Sequence, residues 1–380
     1  MSIAIAFYAD LFSPHGKGPR LTTLNKRLLD ENAVARIYCR RSLSESRIAK
    51  SLPWGVSVLC RSLGALQRIQ TAPIWSDRNC QEDIFDFWLR DQIVERSIFI
   101  APGFWQTISA HSRNKEIFSH SVVCHPDWVM KCTLHIKSTA NRLGYNTDFR
   151  SLTRECDRVR RSLRAKPTLV FPSKAVKKTY EQYESNDYLR RSVTFESQEL
   201  SKKPGKEIPK EPRIAFVGSL SFLKGLHVLL SIFQHDLRKF NLDVYGPFVK
   251  NDSAQLLEKI TKINNVRYLG YKSPDEISQS CDVVVVPSFI DAEPRVVREF
   301  LERGVNVVAS SHITSIEDPQ LTKFDLVGCE LKELVSNMAS AILAAVELRF
   351  PIEKKKSIDN TLVINKSHDE LLADYLMTLI

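Results

Sequence analysis

Arg213-Ile-Ala-Phe-Val-Gly218-Ser-Leu is an apolar run that ends on glycine, and a few residues later Lys224-Gly225 opens an amphipathic segment through Leu230 to Phe233. This order predicts a strand, a glycine loop and a helix. The pattern then repeats: Leu242-Asp-Val-Tyr-Gly246-Pro, Val266-Arg-Tyr-Leu-Gly270, the apolar Cys281-Asp-Val-Val-Val-Val-Pro-Ser288, and Val305-Asn-Val-Val-Ala-Ser310 behind Gly304. Strands that alternate with helices give a parallel sheet covered on both faces, an α/β class.

Upstream of Arg213 lies Ser201-Lys-Lys-Pro-Gly-Lys-Glu-Ile-Pro-Lys-Glu-Pro212, dense in charge and proline and therefore read as a linker. A chain of 380 residues with 43% hydrophobic content exceeds what one core organises. The expected division is a first domain over 1–200, the linker over 201–212, a second domain over 213–365, and a terminal amphipathic helix over 366–380. No run of 18 apolar residues occurs, and Met1–Asp10 lacks a basic leader and looks like a first strand, so a cytoplasmic protein is expected. The eight cysteines form no C-x-x-C pair, which suits reduced thiols. Cys124, His125, Cys132 and His135 lie close together, but their spacing matches no common zinc pattern.

Several residues carry chemistry on their own terms. A lysine in the first turn of a helix is disfavoured by the macrodipole unless an anion lies nearby, so Lys224 predicts a phosphate, with backbone donors at Gly218 and Gly225. Taken alone, Lys224 fits a solvent-reaching lysine better; its ordered neighbours reverse that. Pro294 is placed for the first position of the next helix, Gly304 for its end, and Arg295 in its first turn offers a second anion contact. Asp291 and Glu299 would border one pocket at the carboxyl ends of the strands, where open parallel sheets bind ligands. Arg295 and Arg303 stand four residues either side of Glu299, which is equally the spacing of an ion-paired surface face. Asp291 with Glu293 also has the composition of a metal pair, a reading given less weight, and no metal is expected.

This ordered succession resembles the donor-binding half of the retaining GT-B glycosyltransferases, in particular family 4, also called glycosyl transferases group 1. Gly218, Lys224-Gly225, Asn265-Val266 to Leu269-Gly270, Pro287-Ser288, and an acidic pair at Asp291 and Glu299 fall on the family's motifs in order. Two departures stand out: aspartate replaces the first glutamate of the pair, and Ser219 replaces an arginine that would face phosphate. The resemblance implies two Rossmann-like doubly wound domains facing each other across a cleft. It also implies transfer of a sugar from a nucleoside diphosphate, with retention, to a hydroxyl of a glycan, lipid-linked or other acceptor in polysaccharide or glycoconjugate synthesis. Lys224, Glu299, Asp291 and His125 take the catalytic roles in this reading. Gly16, Gly18, Gly218, Ser219, Gly225, Gly246, Gly270, Tyr271, Ser288, Glu293, Pro294 and Arg295 contact substrates. The nucleotide sugar is a co-substrate, and no other cofactor is implied. A catalytically degenerate GT-B binding protein, and a sugar-nucleotide epimerase or hydrolase on the same fold, are the alternatives.

The first half resembles the family less. Strands are expected at Ile3–Tyr8, Ala35–Cys39, Ser97–Ala101, Ser121–Cys124 and Pro167–Phe171. The loop Ser13-Pro-His-Gly16-Lys-Gly18 would follow the first strand and precede a helix over Leu21–Leu29, bringing backbone donors to a phosphate or the acceptor. His125 either faces the transferred sugar or simply caps a strand end. The family's Asn-Gly-Val-Asp signature is replaced by Thr194-Phe-Glu-Ser-Gln198. Residues 1–200 hold 31 Lys and Arg against 20 Asp and Glu, leaving 23 against 24 in 201–380, and all five tryptophans lie in the first half. In the resembled fold the first half holds the acceptor, so the resemblance together with that asymmetry implies an anionic acceptor, or peripheral contact with an anionic inner-membrane surface. The densest basic segment, Arg154–Lys166, reads as a solvated helix face before it reads as a binding patch, and no motif accompanies it that would predict a nucleic-acid partner.

Overall fold

In the computed structural model the residues described are 3–6, 10–11, 34–39, 41–42, 49–51, 53, 78–93, 97–99, 104–111, 117–120, 123–194, 200, 211–248, 252–292 and 294–348. The expected loop carrying Gly16 and Gly18, the helix over Leu21–Leu29, most of the linker, Glu293 and the terminal helix lie outside them.

The second sheet is built from β10 (Arg213–Val217), β11 (Asn241–Tyr245), β12 (Val266–Gly270), β13 (Val283–Val286), β14 (Asn306–Ser310) and β15 (Leu321–Phe324). Its order is β12-β11-β10-β13-β14-β15, with every pairing parallel. The four valines of β13 are all buried, as expected of a central strand covered on both faces. Alternation sorts the side chains: Ile214 and Phe216 face one core, Ala215 the other. The chain leaves β10 toward β11 on one side and returns to it through β13 on the other. Their carboxyl ends therefore flank a topological switch point, where such sheets open a crevice.

The first sheet has the order β5-β3-β1-β6-β7-β8-β9, again parallel throughout. Its strands are β1 (Ile3–Ala6), β3 (Val34–Cys39), β5 (Ala49–Ser51), β6 (Ser97–Phe99), β7 (Ile117–His120), β8 (Thr168–Phe171) and β9 (Val193–Thr194), while β2 (Asp10–Leu11) and β4 (Arg41–Ser42) pair separately. One expectation is corrected here: the fourth strand is Ile117–His120, not Ser121–Cys124. The Pro126 ring starts a helix instead, and Cys124 and His125 form the turn into it.

The helices between the strands are α1 (Arg78–Arg90), α2 (Trp105–His111), α3 (Pro126–Arg142), α4 (Arg150–Leu163), α5 (Lys174–Glu181) and α6 (Asn186–Leu189) in the first half. The second half has α7 (Leu226–His235), α8 (Asp252–Ile260), α9 (Pro274–Ser280), α10 (Arg295–Leu301) and α11 (Leu331–Glu347). No helix among the described residues is long and apolar enough to cross a membrane.

Helix α3 comes from the first half of the sequence, yet its apolar stripe Trp128, Val129, Cys132, Ile136 and Ala140 shares one core with β10, α7 and α11. Polar contacts fix the same seam. The Nε2 of His227 meets the Thr139 hydroxyl at 3.1 Å, the Gln255 amide exchanges two 2.8 Å bonds with the backbone of Asn146, and Arg142 pairs with Glu330 at 2.7 Å.

The basic segment is only partly a solvated face. Arg158 on α4 is 5% exposed and held by Glu82 and Asp83 of α1 at 2.6 and 2.8 Å, and Arg160 reaches Asp127 and Asp157. Arg161 lies over the Trp105 ring at 4.9 Å. Of the tryptophans, Trp128 is buried in the shared core with its ring 5.5 Å from that of His312, so its role in the fold is packing.

That seam holds imidazoles that burial keeps neutral. Desolvation lowers the pKa of His125, His135 and His312, and it pushes fully buried His227 down to about 3. A depressed histidine contributes stability that is complete above its unfolded value, about 6.5, and is lost as pH falls toward the folded value. His227 alone therefore costs the fold about 2 kcal/mol between pH 6.5 and 4.5. Denaturant unfolding at those two pH values should show at least that loss, and a His227→Leu chain should lose less by roughly that amount.

Candidate active site

The loop leaving β10 is anchored before it reaches Lys224. Phe222 is fully buried, its ring 5.4 Å from Tyr145 and 5.3 Å from His227, and its amide donates to Asp252 at the start of α8. The Ser253 hydroxyl, on the same turn of α8, donates to the Leu220 carbonyl at 2.8 Å. Phe222–Lys224 forms a 3-10 turn, Gly225 follows at φ 72°, and α7 begins at Leu226. Lys224 thus stands one turn earlier than the sequence implied: it ends the 3-10 turn, and the left-handed Gly225 separates it from the helix.

Gly225 is required twice over, by its positive φ and by proximity. A Cβ there would overlap the carbonyl oxygen of Pro287 and stand 2.9 Å from its carbonyl carbon. A Cβ on Gly246 (φ 143°) would likewise overlap the carbonyl oxygen of Gly218 and stand 2.6 Å from its carbon. The loops after β10, β11 and β13 therefore meet backbone to backbone at the switch point. The Phe289 amide completes the lacing by donating to the Leu223 carbonyl at 2.9 Å.

Within this frame the Lys224 ammonium forms an ion pair with the Asp291 carboxylate, both side chains retaining some exposure at 28% and 17%. The other oxygen of Asp291 accepts from the Ala292 amide at 2.9 Å. Helix α10 starts at Arg295, with Pro294 as its extended N-cap and not as its first helical residue. The ψ of 121° at Pro294 keeps that residue outside the helix. Arg295 is exposed in the first turn, and Gly304 terminates the helix as expected, its amide returning to the Leu301 carbonyl at 3.0 Å.

Glu299 is half-buried on α10, and the surface ion-paired face weighed for it does not form. Arg303 bonds the carboxylate of Asp275 and only the backbone carbonyl of Glu299, while Arg298 pairs with Glu302. The carboxylate of Glu299 has no hydrogen bond or ion pair to any described residue. Ser288 is 1% exposed, and its hydroxyl is likewise without a partner among them. Buried polar groups ordinarily find partners, so both are candidates to meet a ligand. Ser219 is half-buried beside Gly218, and the amide of Gly246 donates to the Gly270 carbonyl at 2.9 Å. Tyr271 next to Gly270 stands 79% exposed.

His125 lies at the far side of this loop. It is the N-cap of α3, its Nδ1 accepting from the Asp127 amide at 3.2 Å and its Nε2–H facing Glu184 at 3.3 Å. The ring stacks on Tyr183 at 4.8 Å and is 2% exposed. Both nitrogens are engaged, and the residue caps the start of a helix where the sequence had offered the end of a strand. Sequence reasoning missed two residues that hold the Asp291 loop. The His312 Nε2 lies 2.9 Å from the Phe289 carbonyl, and the Cys124 thiol donates to the Asp291 carbonyl at 3.2 Å. Neither carries a local signal, since each acts on a partner remote in sequence.

Residues 197–318 match the family described as Glycosyl transferases group 1. Among solved structures, the chain is similar to WaaG, a glycosyltransferase involved in lipopolysaccharide biosynthesis, at 12% identity over 90% of each chain with a TM-score of 0.54. It is similar to a sucrose-phosphate synthase from Thermosynechococcus elongatus at 13% identity, over 91% of this chain and 90% of that one, with a TM-score of 0.54. It is also similar to Anabaena Alr3699/HepE, solved in complex with UDP and glucose, at 14% identity over 100% of each chain with a TM-score of 0.52. No curated protein matches the chain in sequence. Two parallel doubly wound sheets with these neighbours establish the GT-B fold.

Proposed function

We propose that this chain is a retaining glycosyltransferase that moves a sugar from a nucleoside diphosphate to a hydroxyl of a glycan or lipid-linked acceptor. The observation that carries the proposal is the ion pair of Lys224 and Asp291, which joins the loops after β10 and β13 at the switch point; the half-buried Glu299 carboxylate of α10, without a partner among the described residues, supports it. The motif match over 197–318 and the UDP and glucose bound by the Anabaena neighbour support the same reading.

The acceptor hydroxyl oxygen bonds to the anomeric carbon as the bond from that carbon to the diphosphate oxygen breaks. The leaving phosphate takes the hydroxyl proton on the same face, giving glycoside and nucleoside diphosphate. No protein nucleophile or metal is invoked. Lys224 and exposed Arg295 offset the charge that develops on the diphosphate, the contribution that grows toward the transition state. Asp291 orients Lys224 and receives sugar hydroxyls, and Glu299 binds the ribose; the Gly218 and Gly225 amides, expected to meet phosphate, are instead given to the Tyr245 and Phe222 carbonyls at 3.0 Å each, so these glycines serve the close packing of the loops. His125 acts by fixing the start of α3. The basic first half meets an anionic acceptor or the cytoplasmic face of a membrane.

A catalytically degenerate protein of this fold that binds a glycan or partner is the second reading, favoured by Ser219 in the place of an arginine that would face phosphate. Thermal-shift titration with UDP, GDP, ADP and CMP tests the donor site first. Saturation at a hundred times Kd should stabilise by about 2.7 kcal/mol for one base, and the shift should vanish in Glu299→Ala. No shift with any nucleotide would remove the proposal.

A further inference from the structure

We infer that Cys124 is a positioning residue for the transfer reaction: its thiol clamps the main chain of Asp291 and so holds the Lys224–Asp291 pair against the first half of the molecule. The inference rests on the glycosyltransferase reading above for its catalytic consequence, though not for the clamp itself.

Two independent contacts carry it. The Cys124 thiol donates to the Asp291 carbonyl at 3.2 Å, joining residues 167 positions apart. The neighbours of both, Val123 and Ala292, pack on one apolar cluster formed by Val159, Phe171, Tyr180 and Tyr188. The 291–292 corner is thus seated by a polar contact from the turn between β7 and α3 and by an apolar contact with the cluster of α4, β8, α5 and α6 on which that turn also rests. The consequence follows along the chain. One carboxylate oxygen of Asp291 meets Lys224 and the other is fixed by the Ala292 amide, so the main-chain position at 291 sets where the ammonium is held. A shift of about 1 Å in such a group can cost two orders of magnitude in rate.

The turn that presents Cys124 is rigid. His125 caps α3, and its own amide donates to the Thr179 hydroxyl of α5 at 2.9 Å, which in turn donates to the Val176 carbonyl at 2.7 Å. Cys124 is 4% exposed, and burial pushes its thiol up to about 12, so it keeps its proton and remains a donor at neutral pH. A buried, protonated thiol is a poor nucleophile, which separates this role from thiol chemistry.

The test compares the full-length wild type with Cys124→Ala, Cys124→Ser and a control, Cys156→Ala, which empties another buried thiol of the same half. Hydrogen exchange of the Ala292 amide, read by mass spectrometry with fragmentation across 287–296, needs no donor. Cys124→Ala should speed that exchange about fivefold or more, Cys124→Ser should restore it because a hydroxyl can donate to the same carbonyl, and Cys156→Ala should leave it unchanged. In turnover, Cys124→Ala should lower kcat by about tenfold with the nucleotide Kd within twofold, and Cys124→Ser should recover most of the loss. Exchange equal in Cys124→Ala and wild type, or moved as much by Cys156→Ala, would overturn the clamp. Faster exchange with unchanged kcat would overturn the positioning role. If the wild type binds no nucleotide and transfers no sugar, the transferase reading and the positioning role fall together, while the exchange result still decides the clamp.

Discussion

Lys224→Ala lowers turnover by two to three orders of magnitude, about 3 to 4 kcal/mol of transition-state stabilisation, while the donor Kd changes far less. The reason is timing of charge. In the proposed transfer the diphosphate gains negative charge as its bond to the sugar breaks, so a fixed ammonium would be worth more then than in the ground state. The ammonium is fixed by the buried Phe222, by the bond from the Phe289 amide to the Leu223 carbonyl, and by its pair with Asp291. A purely structural ion pair makes a different prediction. Removing one partner leaves the other unpaired, and removing both relieves that cost. In a cycle of Lys224→Ala, Asp291→Asn and the double variant, stability should recover in the double variant while kcat stays low. Recovery of kcat in the double variant, or full activity in Lys224→Ala, would show that the pair only holds the loop.

Gly225→Ala destabilises the protein by about 4 kcal/mol or more, among the larger effects a single methyl can have. Two costs combine. A non-glycine residue at φ 72° carries strain of order 1 to 2 kcal/mol, and the added methyl would overlap the Pro287 carbonyl, a backbone group that cannot swing aside. Relief would require α7 to retreat from the end of β13, opening the core that Leu226, Leu229 and Leu230 fill. Gly218→Ala is the contrast, since its nearest neighbour would be the Phe216 ring at 3.4 Å, an ordinary contact. It should leave stability within about 1 kcal/mol and act, if at all, on nucleotide binding. Urea unfolding of the two variants side by side checks both. A Gly225→Ala protein as stable as the wild type would mean the loops after β10 and β13 are not locked together.

Much of this could be read in the sequence because it is local. The four-valine strand and the glycines closing β10, β11 and β12 report backbone conformation and burial within a few residues of themselves. They therefore determine an α/β second half with parallel strands, while the strand order that places the switch point is decided by the folded sheet. Asp291, Ser288 and Glu299 lie on the loops and helix expected of them for the same reason, whereas Lys224 lies outside the helix expected of it. The one-residue error at Pro294 and the one-turn error at Lys224 arose where a backbone torsion decides the cap, and composition constrains such torsions only weakly.

What tertiary structure decided are pairings between remote segments. Lys224 meets Asp291 across 67 positions and Cys124 meets the same residue across 167, and no local pattern encodes either meeting. Glu299 had two arginines at helical spacing, yet folding gave Arg303 to Asp275 and left the half-buried carboxylate without a described partner. His125 had a motif position and became a buried cap, because the Tyr183 ring and Glu184 close over it. Helix α3 belongs to the first half by sequence but completes the core of the second sheet, since an apolar stripe specifies that it must be covered and not which surface covers it.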